Sequence, residues 1–412
     1  VTPSADRDRA VADIVRSAFG NAGQKCSAAS LAILVGGTGS SERFQRQLVD
    51  AVSSLKVGVP DDLATAVGPL AEPAGEPLLT ALTSLGPGES WLVEPKQLDE
   101  VGRLWSPGIR TGVQPGSAFH TTEYFGPVLG IMHASTLGEA VAWQNGTPYG
   151  LTAGLHSLDP AEVRTWLDRV EAGNLYVNRP ITGAIVRRQP FGGWKRSVVG
   201  VTAKAGGPNY LAQFGSWHPA PLSARNGVGL SRPVTELLEA FGAVLDESAM
   251  SYLRTVAASD QLAWEREFGA VKDISALKAE RNVLRYRPTP VTIRAEGGLA
   301  ALARVLLAAR RAGAVVSVSS SVPLPAGVDH VVESSDEWLR RVSTDRPTRV
   351  RLVCSPARPT ADAVAGDPDV TVFAGDVTSS GRVELLHFLC EQSVSISTHR
   401  YGIIDRSVDP FA

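Results

Sequence analysis

Apolar residues recur along the chain in two alternating rhythms. From Ser4 onward Val11, Ile14, Val15, Ala18 and Phe19 keep the three-to-four spacing of one helix face. Ser4 or Asp6 is placed to cap the first turn, and Gly20 and Gly23 to end the helix. Leu31–Val35 is an unbroken apolar run of strand length, Phe44, Leu48, Val52 and Leu55 make the next helical stripe, and Val128–Ala134 reads as another buried strand. Asp159-Pro160 offers an N-cap and a first-turn proline to a helix whose inner face is Val163, Trp166, Leu167 and Val170, with Gly173 at the expected left-handed stop. Helix and strand alternate, which predicts an α/β layer fold.

Between about Gly215 and Pro233 the periodicity lapses and Pro, Gly and Ser gather, the composition of a linker. Two helical stretches follow, then strand-like Val283–Arg287 and Val291–Arg294, and a helix with Leu299, Leu302 and Leu306 inward. Val315–Val318, Val350–Cys354 and Val370–Phe373 read as further strands, so this second region is expected to be doubly wound. The expected organisation is a first domain over 1–217, a linker over 218–232 and a second domain over 233–412. The run Leu385–Ile396 is expected to place Cys390 on an apolar helical stripe before Val394 and Ile396 alternate as a strand.

Composition narrows the function classes. Forty Lys+Arg against 42 Asp+Glu leave a net charge of −2, so no global field points to nucleic acid or an anionic membrane. Apolar runs such as Leu31–Val35 fall far short of the roughly 18 residues that span a bilayer. Three cysteines form no even framework and no CxxC pair, and the seven histidines show no metal-ligand spacing, so neither a disulfide scaffold nor a metal site is expected. The chain opens at Val1 without a secretory pattern, as if cut from something longer.

Candidate chemistry centres on Cys26, in the glycine-containing loop GNAGQKCSAAS between a helix and a buried strand. A thiolate is the nucleophilic form, and backbone N–H groups or the adjacent Lys25 can favour it. Cys354 and Cys390 read as small buried core residues. The Cys26 loop closely resembles the catalytic-cysteine motif of the aldehyde dehydrogenase superfamily. Glu123-Tyr124-Phe125-Gly126-Pro127-Val128 and Gln189-Pro190-Phe191-Gly192-Gly193-Trp194-Lys195 resemble its cofactor-contact and PFGG motifs. GNLYVNRPITGAIVRRQPFGGWKRS and KAGGPNYL, residues 173–197 and 204–211, resemble the L-glutamate γ-semialdehyde (1-pyrroline-5-carboxylate) dehydrogenase branch, and the remainder resembles the C-terminal region of long proline utilization A proteins.

The resemblance implies an aldehyde dehydrogenase catalytic region, incomplete as a dehydrogenase unit, followed by a Rossmann-like C-terminal domain that covers and assembles the enzyme. Arg294-Ala295-Glu296-Gly297-Gly298 lacks the GxGxxG fingerprint, in keeping with a domain that binds no dinucleotide. Cys26 becomes the nucleophile that attacks L-glutamate γ-semialdehyde, with its own backbone N–H on the oxyanion. Glu123 and Phe125 become contacts for NAD; Ser27, Gly183 and Ala184 anchor the substrate's amino-acid head; Phe191 lines its aliphatic part. The superfamily's general-base Glu, its oxyanion Asn and most of its cofactor domain lie upstream of the segment matching Val1, so the resemblance implies a fragment that is crippled alone. FAD belongs only to a proline dehydrogenase domain expected upstream or in a separate chain, and a cytoplasmic homo-oligomer is implied. Two other readings are a non-enzymatic oligomerisation or lid module of a split proline-catabolism protein, and a cysteine hydrolase with His120, His133 or His156 as base.

Overall fold

The computed structural model describes residues 1–200, 203–221 and 227–411; residues 222–226 of the expected linker lie outside the described residues. Two compact units are present, and they interleave along the chain. The first comprises Val1–Ser197, Asp273–Val283 and Ser393–Ala412, and the second Val198–Lys272 and Leu284–Gln392. The sequence places its boundary by composition, whereas these units follow packing.

In the first unit α1 (Arg7–Phe19) starts at Asp6, whose side chain accepts the Arg9 N–H, and buries Ala10, Val11, Ile14, Val15, Ala18 and Phe19. β1 (Leu31–Val35), α2 (Glu42–Ser53), β2 (Ser90–Val93), β3 (Gly108–Thr111) and β4 (Val128–Ala134) follow. The sheet order is β1-β4-β3-β2, with β1 and β4 parallel in the register Leu31↔Gly130 to Val35↔Ala134. α1 and α2 lay Ile14, Phe19, Phe44, Leu48 and Val52 in one core with Leu34, Leu129 and Ile131 from these strands. Burying such side chains contributes about 1.5–3 kcal/mol each.

Next come β5 (Thr152–Leu155), α3 (Pro160–Arg169) and β6 (Asn174–Val177). Asp159 caps α3 through the Ala161 N–H at 2.7 Å. The expected glycine stop is corrected: Val170 already takes extended backbone (φ −72°, ψ 136°), its side chain being buried in the core, and α3 ends there instead of at Gly173.

The later part of the chain supplies α4 (Arg232–Gly242), α5 (Glu247–Ala263), β7 (Glu280–Pro288), β8 (Val291–Ala295), α6 (Leu299–Ala312), β9 (Val316–Ser320), β10 (Val331–Val332), α7 (Ser335–Asp345), β11 (Arg349–Val353), β12 (Thr371–Phe373) and β13 (Leu389–Ser397). The second unit's sheet is parallel with order β10-β9-β8-β11-β12, the doubly wound arrangement expected. Inside it Arg304 on α6 grips Asp260 on α5 through two bonds of 2.7 and 2.8 Å, and Arg351 on β11 binds Glu384 at 2.9 and 3.0 Å, all four side chains being buried. Burial alone would raise the Glu384 pKa; the charges of His387, Arg351 and Arg304 overcome it and hold the carboxyl well below the ordinary range.

Two cysteine expectations are corrected. Cys390 is the second residue of β13, half-buried, its Sγ accepting from Arg349 Nη2 at 3.1 Å, because the helical turn at Leu385–Phe388 stops before it. Cys354 does end a strand, but it turns left-handed (φ 52°) and is exposed.

The residues of β13 from Ser393 on belong to the first unit. Ser393–Ile396 pair in parallel with Asn174–Val177, giving the sheet order β5-β6-β13-β7. Val394 and Ile396 enter the core of Val163, Trp166, Leu175 and Val177, and the expected pairing of this strand is therefore made within the chain.

Candidate active site

The Cys26 loop is shaped by a run of left-handed residues. Gly20 closes α1, then Asn21 (φ 59°), Ala22 (φ 53°) and Gly23 (φ 69°) turn the chain sharply, with Asn21 Nδ2 donating to the Gln24 carbonyl at 2.9 Å. Gly23 lies against a second loop: a Cβ there would sit 2.2 Å from the carbonyl oxygen of Gly126. Gln24 extends the junction, its Nε2 donating to the Phe125 carbonyl at 3.3 Å and its Oε1 accepting the Ala71 N–H at 2.9 Å. The Cys26 loop and the Glu123–Gly126 loop are thus seated on each other by main-chain contact, with Phe125 of the second loop at φ 54°.

A cavity of about 470 Å³ opens at this junction, lined among others by Cys26, Glu123, Asp13, Ser17, Arg179 and Ile181. Cys26 is exposed. The Glu123 carboxylate is exposed too and has no hydrogen-bond partner among the described residues. An exposed thiol and an uncommitted carboxylate therefore line the same cavity.

Of the other expected residues, Ser27 is buried beside Cys26 in the chain, Phe191 and its ring are partly covered, and Phe125 is exposed. Gly183 (φ 80°) and Ala184 stand exposed in the loop that leaves the cavity at Ile181. The backbone N–H groups of Cys26, Ser27, Gly183 and Ala184 have no hydrogen-bond partner among the described residues. Such donors are what an oxyanion or a carboxylate requires. The PFGG stretch is fastened from below, Asn174 Nδ2 donating to the Gly192 carbonyl at 3.0 Å.

Three polar residues at this site were not singled out in the sequence. Asp13 Oδ2 accepts no hydrogen bond, although the Arg9 guanidinium is 3.6 Å away, and burial pushes its carboxyl pKa up. Arg179 bonds the Ser395 hydroxyl at 2.6 Å and pairs with Glu280 at 3.4 Å. The buried Tyr176 hydroxyl is without a partner among the described residues, and burial pushes it up to about 12 against the pull of Arg179. Their sequence signal was weak, since Asp13 and Arg179 fall among ordinary helix and loop polar residues.

Among the described residues no hydrogen bond joins His120, His133 or His156 to Cys26. His120 Nδ1 accepts the Gly116 N–H at 2.9 Å, so the proton is on Nε2 and is given to the Trp143 carbonyl at 2.9 Å. His156 is buried, which lowers its pKa to about 3. His133 is an exposed residue of β4. Among the described residues no group of three or more His, Cys, Asp or Glu could hold a metal, and no helix is long and apolar enough to cross a membrane.

Residues 1–217 match the model of the aldehyde dehydrogenase family. The chain is 37% identical over 212 residues to the 1-pyrroline-5-carboxylate dehydrogenase of Geobacillus sp. (strain WCH70), covering 51% of this chain and 40% of that protein. The protein of the same name from Bacillus subtilis (strain 168) is 36% identical over 212 residues, with the same coverage of 51% and 40%. The structure of proline utilization A from Corynebacterium freiburgense aligns over 98% of this chain and 39% of its own length, with 47% identity and a TM-score of 0.84. The chain thus spans about two fifths of the length of the curated relatives it matches.

Proposed function

The chain belongs to the aldehyde dehydrogenase family, and from that premise we propose that it carries the thiol half of an L-glutamate γ-semialdehyde dehydrogenase. One observation carries the reading: the thiol of Cys26 is exposed, and the N–H groups of Cys26, Ser27, Gly183 and Ala184 are left without partners among the described residues. Ser27, Gly183 and Ala184 hold the substrate's carboxylate, and Phe191 packs on its methylenes.

The Cys26 thiolate adds to the aldehyde carbon, forming a C–S bond and an oxyanion that accepts a hydrogen bond from the Cys26 N–H. Bound NAD supplies the acceptor for the hydride that leaves this carbon. The carbon is then a thioester on Sγ, and water cleaves it to L-glutamate and the free thiol, with release of a proton. The exposed, unpartnered Glu123 carboxylate suits two ribose hydroxyls, and the exposed Phe125 ring suits the flank of the cofactor. These residues fit the nicotinamide end of the cofactor.

NAD in preference to NADP, a cytoplasmic homo-oligomer, and a proline dehydrogenase upstream or in a separate chain that delivers the substrate complete the reading. So does a division of labour in which the region after 232 covers and assembles the enzyme. The length of the proline utilization A relative supports the upstream partner.

The test is NADH formation from L-glutamate γ-semialdehyde by a form extended at Val1 with the upstream part its longer relatives carry. Turnover that Cys26→Ala lowers by at least about 10³-fold, the order expected for loss of a nucleophile, supports the reading. Undiminished turnover in Cys26→Ala refutes it.

A further inference from the structure

β13, an inner strand of the sheet β5-β6-β13-β7, carries serines at alternate positions, Ser393, Ser395 and Ser397, opposite the core-facing Val394 and Ile396. Each hydroxyl is buried and each is used. Ser393 Oγ donates to the Pro190 carbonyl at 2.5 Å, Ser395 Oγ to Asn282 Oδ1 at 2.5 Å, and Ser397 Oγ accepts from Arg9 Nη2 at 2.8 Å. All the residues concerned belong to the first unit.

Gln189 is where these bonds converge. Its buried amide Nε2 donates to Asn282 Oδ1 at 2.7 Å and to Ser395 Oγ at 3.1 Å. With the nitrogen so committed, Oε1 points to the Ile185 N–H at 2.8 Å. Ile185 directly follows Gly183 and Ala184, whose own N–H groups have no partner among the described residues. The same Ser395 hydroxyl also accepts from Arg179, which pairs with Glu280. Without Ser395 and Asn282 the amide could rotate and present either end to Ile185.

We propose that Ser395 and Asn282 are positioning residues, which act through the Gln189 amide to hold the Gly183–Ala184 loop in the form that binds the substrate's carboxylate. The proposal rests on the function read above for that loop. It makes β13 a determinant of substrate selectivity, since only substrates bearing the carboxylate sense the loop.

Two readouts test it. In the 412-residue chain, amide hydrogen exchange at Ile185 is expected to speed up about tenfold or more in Ser395→Ala and in Asn282→Ala, the fold-change expected when a buried partner is lost, and to return toward the parent rate in Ser395→Thr. In the extended form, the ratio of kcat/KM for L-glutamate γ-semialdehyde to that for propionaldehyde, which has no carboxylate, falls about tenfold in Ser395→Ala, chiefly through KM of the semialdehyde. Unchanged exchange at Ile185, or loss of both activities in equal proportion, overturns the proposal. An extended parent that does not oxidise the semialdehyde would sink the functional reading instead, while the exchange result still decides the relay.

Discussion

Gly23 and Gly126 meet main chain to main chain, and no other residue at position 23 could allow it. The left-handed φ of 69° already costs a side chain about 1–2 kcal/mol, and a Cβ would stand 2.2 Å from the Gly126 oxygen. Gly23→Ala must therefore push the Cys26 loop off the Glu123 loop. We expect kcat to fall about 100-fold, the order associated with a displacement near 1 Å, with a small loss of thermal stability; an unchanged kcat would show that the seating is unimportant. His156 gives a pH signature at the same scale. Its pKa is lowered by burial to about 3, so between there and the ordinary histidine value of about 6.5 the unfolded chain binds a proton that the folded chain refuses. Stability is then full above about 6.5 and is lost as pH falls toward 3. Urea unfolding across this range should show that decline, and His156→Gln should flatten it. A curve of the same slope in the variant would assign the acid sensitivity elsewhere.

Among elements, β13 joins its neighbours through two unlike faces. Ile396 is fully buried in the core of the second sheet, and Ile396→Ala should lower the unfolding free energy by about 2–5 kcal/mol, read by denaturant titration. In the second unit, Glu384→Gln would strand the buried guanidinium of Arg351, a loss of about 3–5 kcal/mol. Because the Glu384 pKa is held low, its contribution is present at neutral pH and disappears as acid protonates it, below about pH 5; a stability of Glu384→Gln equal to the parent's at pH 7 would contradict this. Most elements were legible in the sequence where the pattern was local. Leu31–Val35 and Val128–Ala134 are strands to the residue, and Asp159-Pro160 does open a helix. Cys390 was misplaced because Leu385, Leu386, Phe388 and Leu389 suit a helical stripe as well as a turn running into a strand. Gly173 looked like a helix stop because a glycine just past the last periodic residue usually is one, yet Val170 is buried in extended backbone and the helix ends there.

At the scale of the whole molecule, motifs near in sequence could be read and partners far apart could not. Cys26 and Glu123 announce themselves through their loops and do line one cavity. The bond from Gln189 to Ser395 joins residues 206 apart, and no local pattern marks Asn282 or Ser395 as partners of Gln189. Asp13, Arg179 and Tyr176 were silent for the same reason: only folding brings them to the site. The central claim is that this chain supplies the sulfur on which the substrate is oxidised. It is tested most directly by quenching the extended form in acid during turnover of L-glutamate γ-semialdehyde with NAD, and mapping the modified peptide by mass spectrometry. The account predicts a γ-glutamyl thioester on the peptide containing Cys26, absent from Cys26→Ala. NADH formation with the acyl group on another residue, or with the Cys26 peptide never modified, would contradict it.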